Sequence, residues 1–242
     1  MAGTSANDPG NNRNLAEGAR TRPGVVRVLI TAGPTHEPID AVRFLGNRSS
    51  GRMGIALAEA ATARGTSVDL LLGPATVSPP TELAESVRRF STCEDLRLLL
   101  AELAHKADII IMAAAVADYR PVPLAALSGG KFRRTSGNVM LELESTPDLI
   151  AGVSASRRPG QLIVGFALEP RAEMIASAHA KLERKKIDMV VANPLETMDS
   201  AEIEAVLVSK GQPDLPTPGM MSKAECSVWL MERFLSAFAK LP

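Results

Sequence analysis

The chain has 242 residues, 45% of them hydrophobic and 22% charged, which suits one large or two small packed domains. Lys plus Arg and Asp plus Glu balance at 27 each, so the overall charge calls for neither nucleic acid nor an anionic membrane as a partner. Two cysteines far apart, Cys93 and Cys226, and three histidines, His36, His105 and His179, share no metal-ligand spacing, which argues against a zinc site and a disulfide framework.

Residues 1 to 24, rich in Gly, Asn, Ser and Arg, lack the apolar core of a signal peptide and read as a disordered tail. No apolar run reaches the roughly 18 residues that cross a bilayer, so the expected compartment is the reducing cytoplasm. From Val25 onward, "VVRVLITAG" (25 to 33) is a β-rich run ending at a Gly-Pro turn. The segment "RMGIALAEAATARG" (52 to 65) reads as a helix, "SVDLLLG" (67 to 73) as a strand, "CEDLRLLLAELAHKA" (93 to 107) as a helix and "ADIIIMAAA" (107 to 115) as a strand. After a long loop at 118 to 138 the alternation resumes. A helix starts at "TPDLIAGV" (146 to 153), followed by the strand "QLIVGFA" (161 to 167), a charged helix (171 to 187) and the strand "DMVVAN" (188 to 193). A hairpin strand at 203 to 211 and a helix from about Ser222 end the chain. Continuous apolar strands alternating with helices predict one α/β domain over 25–242, Rossmann-like, with a mostly parallel sheet covered on both faces.

In such a sheet ligands bind beyond the carboxyl ends of the strands, so the residues that follow each apolar run are the informative ones. After the first strand comes "GNRSSGRMG" (46 to 54). It is neither a Walker A loop, because Arg52 and Met53 replace the Lys and Ser/Thr, nor a dinucleotide fingerprint, because Ser49 stands where the first glycine belongs. Ser49, Ser50 and Gly51 at a helix start would cradle an anion; the plainer reading is a helix capped by Ser49 or Ser50. After the third strand, Ala114, Ala115 and Ala117 would let a flat ring approach the backbone, with Asp118 for ribose hydroxyls or a hydrated cation, or simply as a turn residue. "GGKFRR" (129 to 134) puts Lys131, Arg133 and Arg134 on a glycine-hinged flap that either closes over phosphates or stays solvated. Lys181 and Lys185 share one helix face. No Gly-x-Ser-x-Gly elbow is present, and Pro123 follows Tyr119 where a short-chain dehydrogenase needs lysine.

Six blocks in order, "ITAGPTHEPIDAVRFLGNRSSGRMG" (30 to 54), "AAVADYRP" (114 to 121), "KFRR" (131 to 134), "TPDLI" (146 to 150), "VGFALE" (164 to 169) and "KLERKKIDMVVAN" (181 to 193), closely resemble phosphopantothenate-cysteine ligase. The resemblance covers Val25 to Leu241 and implies a Rossmann-like, dimeric ligase of coenzyme A synthesis. In bacterial members the carboxylate of 4′-phosphopantothenate attacks CTP, giving an acyl-cytidylate and pyrophosphate; the amine of L-cysteine then displaces CMP. It further implies that Asn47 holds the activated acyl group, that Arg43 serves the same substrate site, with Ser49, Ser50 and Gly51 beside it, and that Lys131 supplies charge on the flap. Met112, Ala113, Ala114, Asp118, Pro147, Asp148, Leu149, Ile150, Phe166, Lys181 and Lys185 would complete a nucleotide pocket, and magnesium, with Asp118 as its ligand, would offset the charge of the triphosphate. Many bacterial relatives carry a flavin-dependent decarboxylase domain ahead of the ligase, so a stand-alone ligase without FMN is expected, working beside a separate decarboxylase. The chain departs from the family pattern at Gly46 (usually Ser), Arg52 (usually Lys), Thr146 (usually Asn) and in the arginines of the flap. The stretch from about Asp199 to Gly219 is the expected subunit-crossing hairpin. Two rivals stand beside this reading: an NAD(P)-dependent reductase, against which the missing fingerprint counts, and an idle nucleotide-binding module.

Overall fold

The computed structural model describes residues 24–122, 130–131, 138–198 and 200–242. Six strands form a parallel array: β1 (Arg27–Ala32), β4 (Ser67–Leu72), β5 (Val87–Arg89), β6 (Ile109–Met112), β9 (Leu162–Glu169) and β10 (Met189–Pro194). Their spatial order, β5-β4-β1-β6-β9-β10, is the 3-2-1-4-5-6 order of dinucleotide-binding sheets, with the reversal between β1 and β6. β12 (Val206–Ser209) joins β10 antiparallel and β13 (Leu215–Pro216) joins β12, so the expected hairpin closes the edge of this chain's own eight-stranded sheet.

Burial explains why these strands were legible as apolar runs. Along β1, Val28, Ile30 and Ala32 enter one core while Leu29 enters the other; along β6, Ile109 and Ile111 face the first core and Ile110 and Met112 the second. Period-two pleating on a sheet covered on both sides leaves no polar face, so apolar residues run on without alternation. The first core is closed by α1 (Arg52–Thr62) and α5 (Lys223–Phe238), whose Phe234 is fully buried. The second is closed by α2 (Cys93–Leu103), α3 (Leu149–Ala155) and α4 (Met174–Lys185). Thr92 and Ser222 open α2 and α5 with reciprocal capping boxes to Asp95 and Glu225. No described helix is long and apolar enough to cross a membrane.

Several elements went unread in the sequence. β2 (His36–Pro38) and β3 (Phe44–Gly46) form a hairpin between β1 and α1. The stretch read as a loop from 118 begins as β7 (Tyr119–Pro121), which pairs with β8 (Leu143–Ser145). β11 (Glu202–Ile203) pairs with β14 (Met221–Ser222) beside the start of α5. Strands of two or three residues on the surface carry too few alternations to give a period. The expected tail at 1 to 23, the flap residues Phe132, Arg133 and Arg134, and Asp199 lie outside the described residues.

Candidate active site

The loops that follow β1, β6 and β9 diverge around the reversal point and enclose a cavity of about 930 Å³, a volume at the large end for small-molecule sites. Its first wall is the segment Gly46 to Gly54. Two glycines there are required by geometry. Gly51 is the N-cap of α1 at φ 76, a left-handed conformation that L side chains rarely adopt. At Gly54 a Cβ would lie 2.3 Å from Ala32 Cβ, so α1 is packed directly on the end of β1. Neither Ser49 nor Ser50 caps the helix. The N-cap makes no side-chain hydrogen bond, and the Ser50 hydroxyl receives only a long 3.5 Å bond from the Arg52 N–H. The serine cap reading is corrected because the chain turns into α1 at Gly51, in a left-handed conformation that glycine adopts without strain.

The second wall is the strand end after β6, held to the β1 side by buried threonines. Thr31 accepts from the Ala114 N–H at 3.1 Å and Thr35 from the Ala117 N–H at 3.0 Å, and both threonines are fully buried. Asn47 reaches the same segment from the opposite loop, its side-chain amide donating to the Val116 carbonyl at 3.0 Å and to Ala115 at 3.4 Å. Asp118 is exposed on the rim and lines the cavity. Among the described residues no three His, Cys, Asp or Glu side chains cluster as a metal site.

The third wall joins the turn before α3 to α4. The Thr146 hydroxyl donates to the Ala117 carbonyl at 2.5 Å, and the Asp148 side chain caps α3 by accepting from the Ala151 N–H at 3.2 Å. Lys185 forms an ion pair with Asp148, and the Lys181 amine donates to the Phe166 carbonyl. Burial holds the Lys181 amine below its ordinary value, Arg184 adds to the lowering, and Glu169 and Asp118 oppose it. Beneath this wall Cys93 is buried at the start of α2; burial first, then the Glu37 charge, push its thiol up, so it remains a protonated donor.

The cavity lining carries six basic residues, Arg48, Arg52, Lys181, Arg184, Lys185 and Lys223, against three acidic ones, Asp118, Asp148 and Glu169. A concave site with a surplus of cations focuses a positive potential and suits a polyanion. Of the residues singled out from the sequence, Asn47, Ser49, Ser50, Gly51, Met112, Ala113, Ala114, Asp118, Pro147, Asp148, Leu149, Ile150, Phe166, Lys181 and Lys185 all line it. Two do not. Arg43 pairs with Asp40 at 3.1 Å on the turn between β2 and β3. Lys131 is exposed, next to Gly130, whose carbonyl receives the Ala41 N–H at 3.5 Å. Arg184 was missed although it follows Lys181 by three residues, a same-face spacing that signals it. Lys223 carried no local signal, because only the packing of α5 against α1 brings it to the cavity.

A family model described as the DNA/pantothenate metabolism flavoprotein C-terminal domain matches residues 25–237. A cysteine/cysteine sulfinic acid decarboxylase from an unknown prokaryotic organism is 46% identical over 170 residues, covering 70% of this chain and 46% of that protein. The coenzyme A biosynthesis bifunctional protein CoaBC of Mycobacterium tuberculosis is 38% identical over 188 residues, covering 74% of this chain and 44% of that protein. The chain thus spans about half the length of the curated relatives it matches. The crystal structure of the C-terminal domain of a coenzyme A biosynthesis bifunctional protein CoaBC matches with a TM-score of 0.72 at 30% identity, over 88% of this chain and 96% of that one.

Proposed function

The chain belongs to the family of the DNA/pantothenate metabolism flavoprotein C-terminal domain, and from that premise we propose that it is a ligase joining 4′-phosphopantothenate to L-cysteine at the expense of CTP. The observation that carries the reading is the Asn47 bridge. The loop after β1, which holds Asn47, closes on the strand end after β6 within one cation-rich cavity. An acyl group held by the first and a nucleotide held by the second would meet there. The relative named as a cysteine decarboxylase is matched over less than half its length, so its name assigns no activity to this segment.

In the proposed reaction a phosphopantothenate carboxylate oxygen attacks the α-phosphorus of CTP and pyrophosphate leaves. A carboxylate is a poor electrophile, and the mixed anhydride gives it a leaving group. The cysteine amine then attacks the acyl carbon, CMP departs with the anhydride oxygen, and the amine loses a proton. Met112, Ala113 and Ala114 offer backbone to the base, Phe166 packs against the nucleotide, and Lys181 and Lys185 face its phosphates. Lys185 must exchange Asp148 for a phosphate oxygen, which its ion-pair geometry permits because both groups line the cavity. Asn47 orients the acyl group. Lys131, arriving on the flap with Arg43 nearby, stabilises the charge that develops as pyrophosphate departs. Asp118 is a single carboxylate beside the place for the phosphates, a donor set that fits a magnesium ion carried largely by the nucleotide. Such an ion supplies charge neutralisation on the triphosphate. The proposed enzyme works in the cytoplasm as a homodimer, with the β12–β13 edge as the proposed contact; a monomer by light scattering at micromolar concentration would remove that part.

The test is pyrophosphate release from CTP, with ATP in parallel, in the presence of magnesium and 4′-phosphopantothenate, with and without cysteine. Release that requires phosphopantothenate and turns over when cysteine is added is the expected result. A folded protein that releases none with either nucleotide overturns the reading.

A further inference from the structure

Glu37 is 2% exposed, an unusual place for a carboxylate, and none of the steps above uses it. It lies on β2, one hairpin turn from Asn47, and pairs across the hairpin with Leu45. Its Oε1 accepts the Cys93 N–H at 2.8 Å, one of the unpaired donors at the start of α2, where the helix dipole favours an anion. The Arg120 guanidinium, raised first by its bond to Glu144, is raised further by the Glu37 charge. From Cys93 the thiol is directed at the Pro147 carbonyl at 3.9 Å. Thr146, one residue earlier, holds Ala117, and Ala117 is held in turn by Thr35, two residues before Glu37.

These bonds form a ring of buried and half-buried polar contacts beside the cavity. We infer that Glu37 is a positioning residue for the ligation: its carboxylate, by fixing the start of α2 against β2, sets the Asn47 hairpin in register with the Ala117–Asp118 strand end and the Pro147–Asp148 turn. The inference rests on the ligase reading above. The two halves of the cavity come from segments far apart in sequence, and Glu37 is the buried charged group that bonds one to the support of the other. Misalignment of reacting groups by about 1 Å is enough to cost about a hundredfold in rate without weakening the binding of either partner.

Two variants separate geometry from charge. Glu37→Asp keeps the charge but withdraws the carboxylate by about one carbon–carbon bond, ~1.5 Å, out of reach of the Cys93 N–H. Glu37→Gln keeps a carbonyl oxygen at full reach and loses the charge. Positioning predicts that kcat for amide formation falls at least tenfold in Glu37→Asp while KM for CTP stays within threefold, and that Glu37→Gln stays within threefold of wild type in both. The opposite ranking, or wild-type kinetics in Glu37→Asp, overturns the inference. Should Glu37→Asp fail to fold, Thr146→Val, which removes the hydroxyl bond to Ala117 and leaves Glu37 in place, carries the same comparison. An unchanged kcat there is equally fatal. A wild-type protein that releases no pyrophosphate sinks the ligase reading itself, whereas an active wild type with an unaltered Glu37→Asp sinks only the inference.

Discussion

Substitution of Gly54 by alanine tests whether the close packing of α1 on β1 holds the Asn47 loop in place. The added Cβ would stand 2.3 Å from Ala32 Cβ, 3.1 Å from Ala32 Cα and 3.3 Å from the Thr31 carbonyl oxygen. Carbon atoms rest at about 3.5–4.0 Å, so the start of α1 must retreat by roughly 1 Å. Overpacking of this kind costs about 1–3 kcal/mol, and the better helix propensity of alanine offsets at most about 1 kcal/mol. A net loss of about 1–2 kcal/mol lowers Tm by about 2–8 °C in a chain of this size. Because Gly51 and Asn47 move with the helix start, amide formation should fall by about two orders of magnitude. The clash is chiefly between two methyl groups, so Ala32→Gly in the same chain should restore much of both losses, less about 0.5–1 kcal/mol for glycine in a strand. Thermal melting and an assay of amide formation on the two single variants and the double read the outcome. A Gly54→Ala protein that melts and turns over like wild type refutes the packing argument, and a double variant no better than Gly54→Ala refutes the identity of the clash.

Asn47→Asp loses the donor that reaches Val116 and should release pyrophosphate within about threefold of wild type while amide formation falls about a hundredfold; equal loss of both half-reactions in a folded protein contradicts the assigned role. Lys131→Gln should suppress pyrophosphate release at least a hundredfold even without cysteine, with Tm unchanged because the side chain is exposed; full release counts against its charge role. Lys181 carries a stability signature of its own. Burial holds its amine below 10.5 in the folded state, so between that lowered value and 10.5 the unfolded chain binds the extra proton and stability rises with pH. The penalty is fully present below the lowered value. The stability of Lys181→Met relative to wild type, measured by urea unfolding at pH 8 and pH 10.5, should therefore decline toward the higher pH, and a constant difference would rule out the buried charge as its source.

The legible part of the site was the part built from local sequence. The helix start in "TPDLIAGV" and the shared helix face of Lys181 and Lys185 were legible, because both follow from spacing within a turn. Gly51 and Gly54 drew attention as a phosphate loop, although their reasons are a left-handed helix start and a close helix-to-strand contact. Serine at a helix start is so common a cap that Ser49 and Ser50 pointed to the wrong residue. Arg43 entered through resemblance and Lys131 through the glycine-hinged "GGKFRR", and neither lines the cavity: Arg43 sits on the β2–β3 turn and Lys131 is exposed.

By itself the sequence determined the parallel α/β sheet, because a strand buried on both faces must be apolar throughout, and the strand ends where chemistry gathers, because the chain turns there. Only the tertiary structure decided which of those ends meet. It brought Lys223 from the start of the last helix to the first loop, paired Lys185 with Asp148, and buried Glu37 against the start of α2. Burial, pairing and charge surplus are properties of groups that touch across long separations, and no spacing along the chain encodes which distant partner fills the space beside a residue.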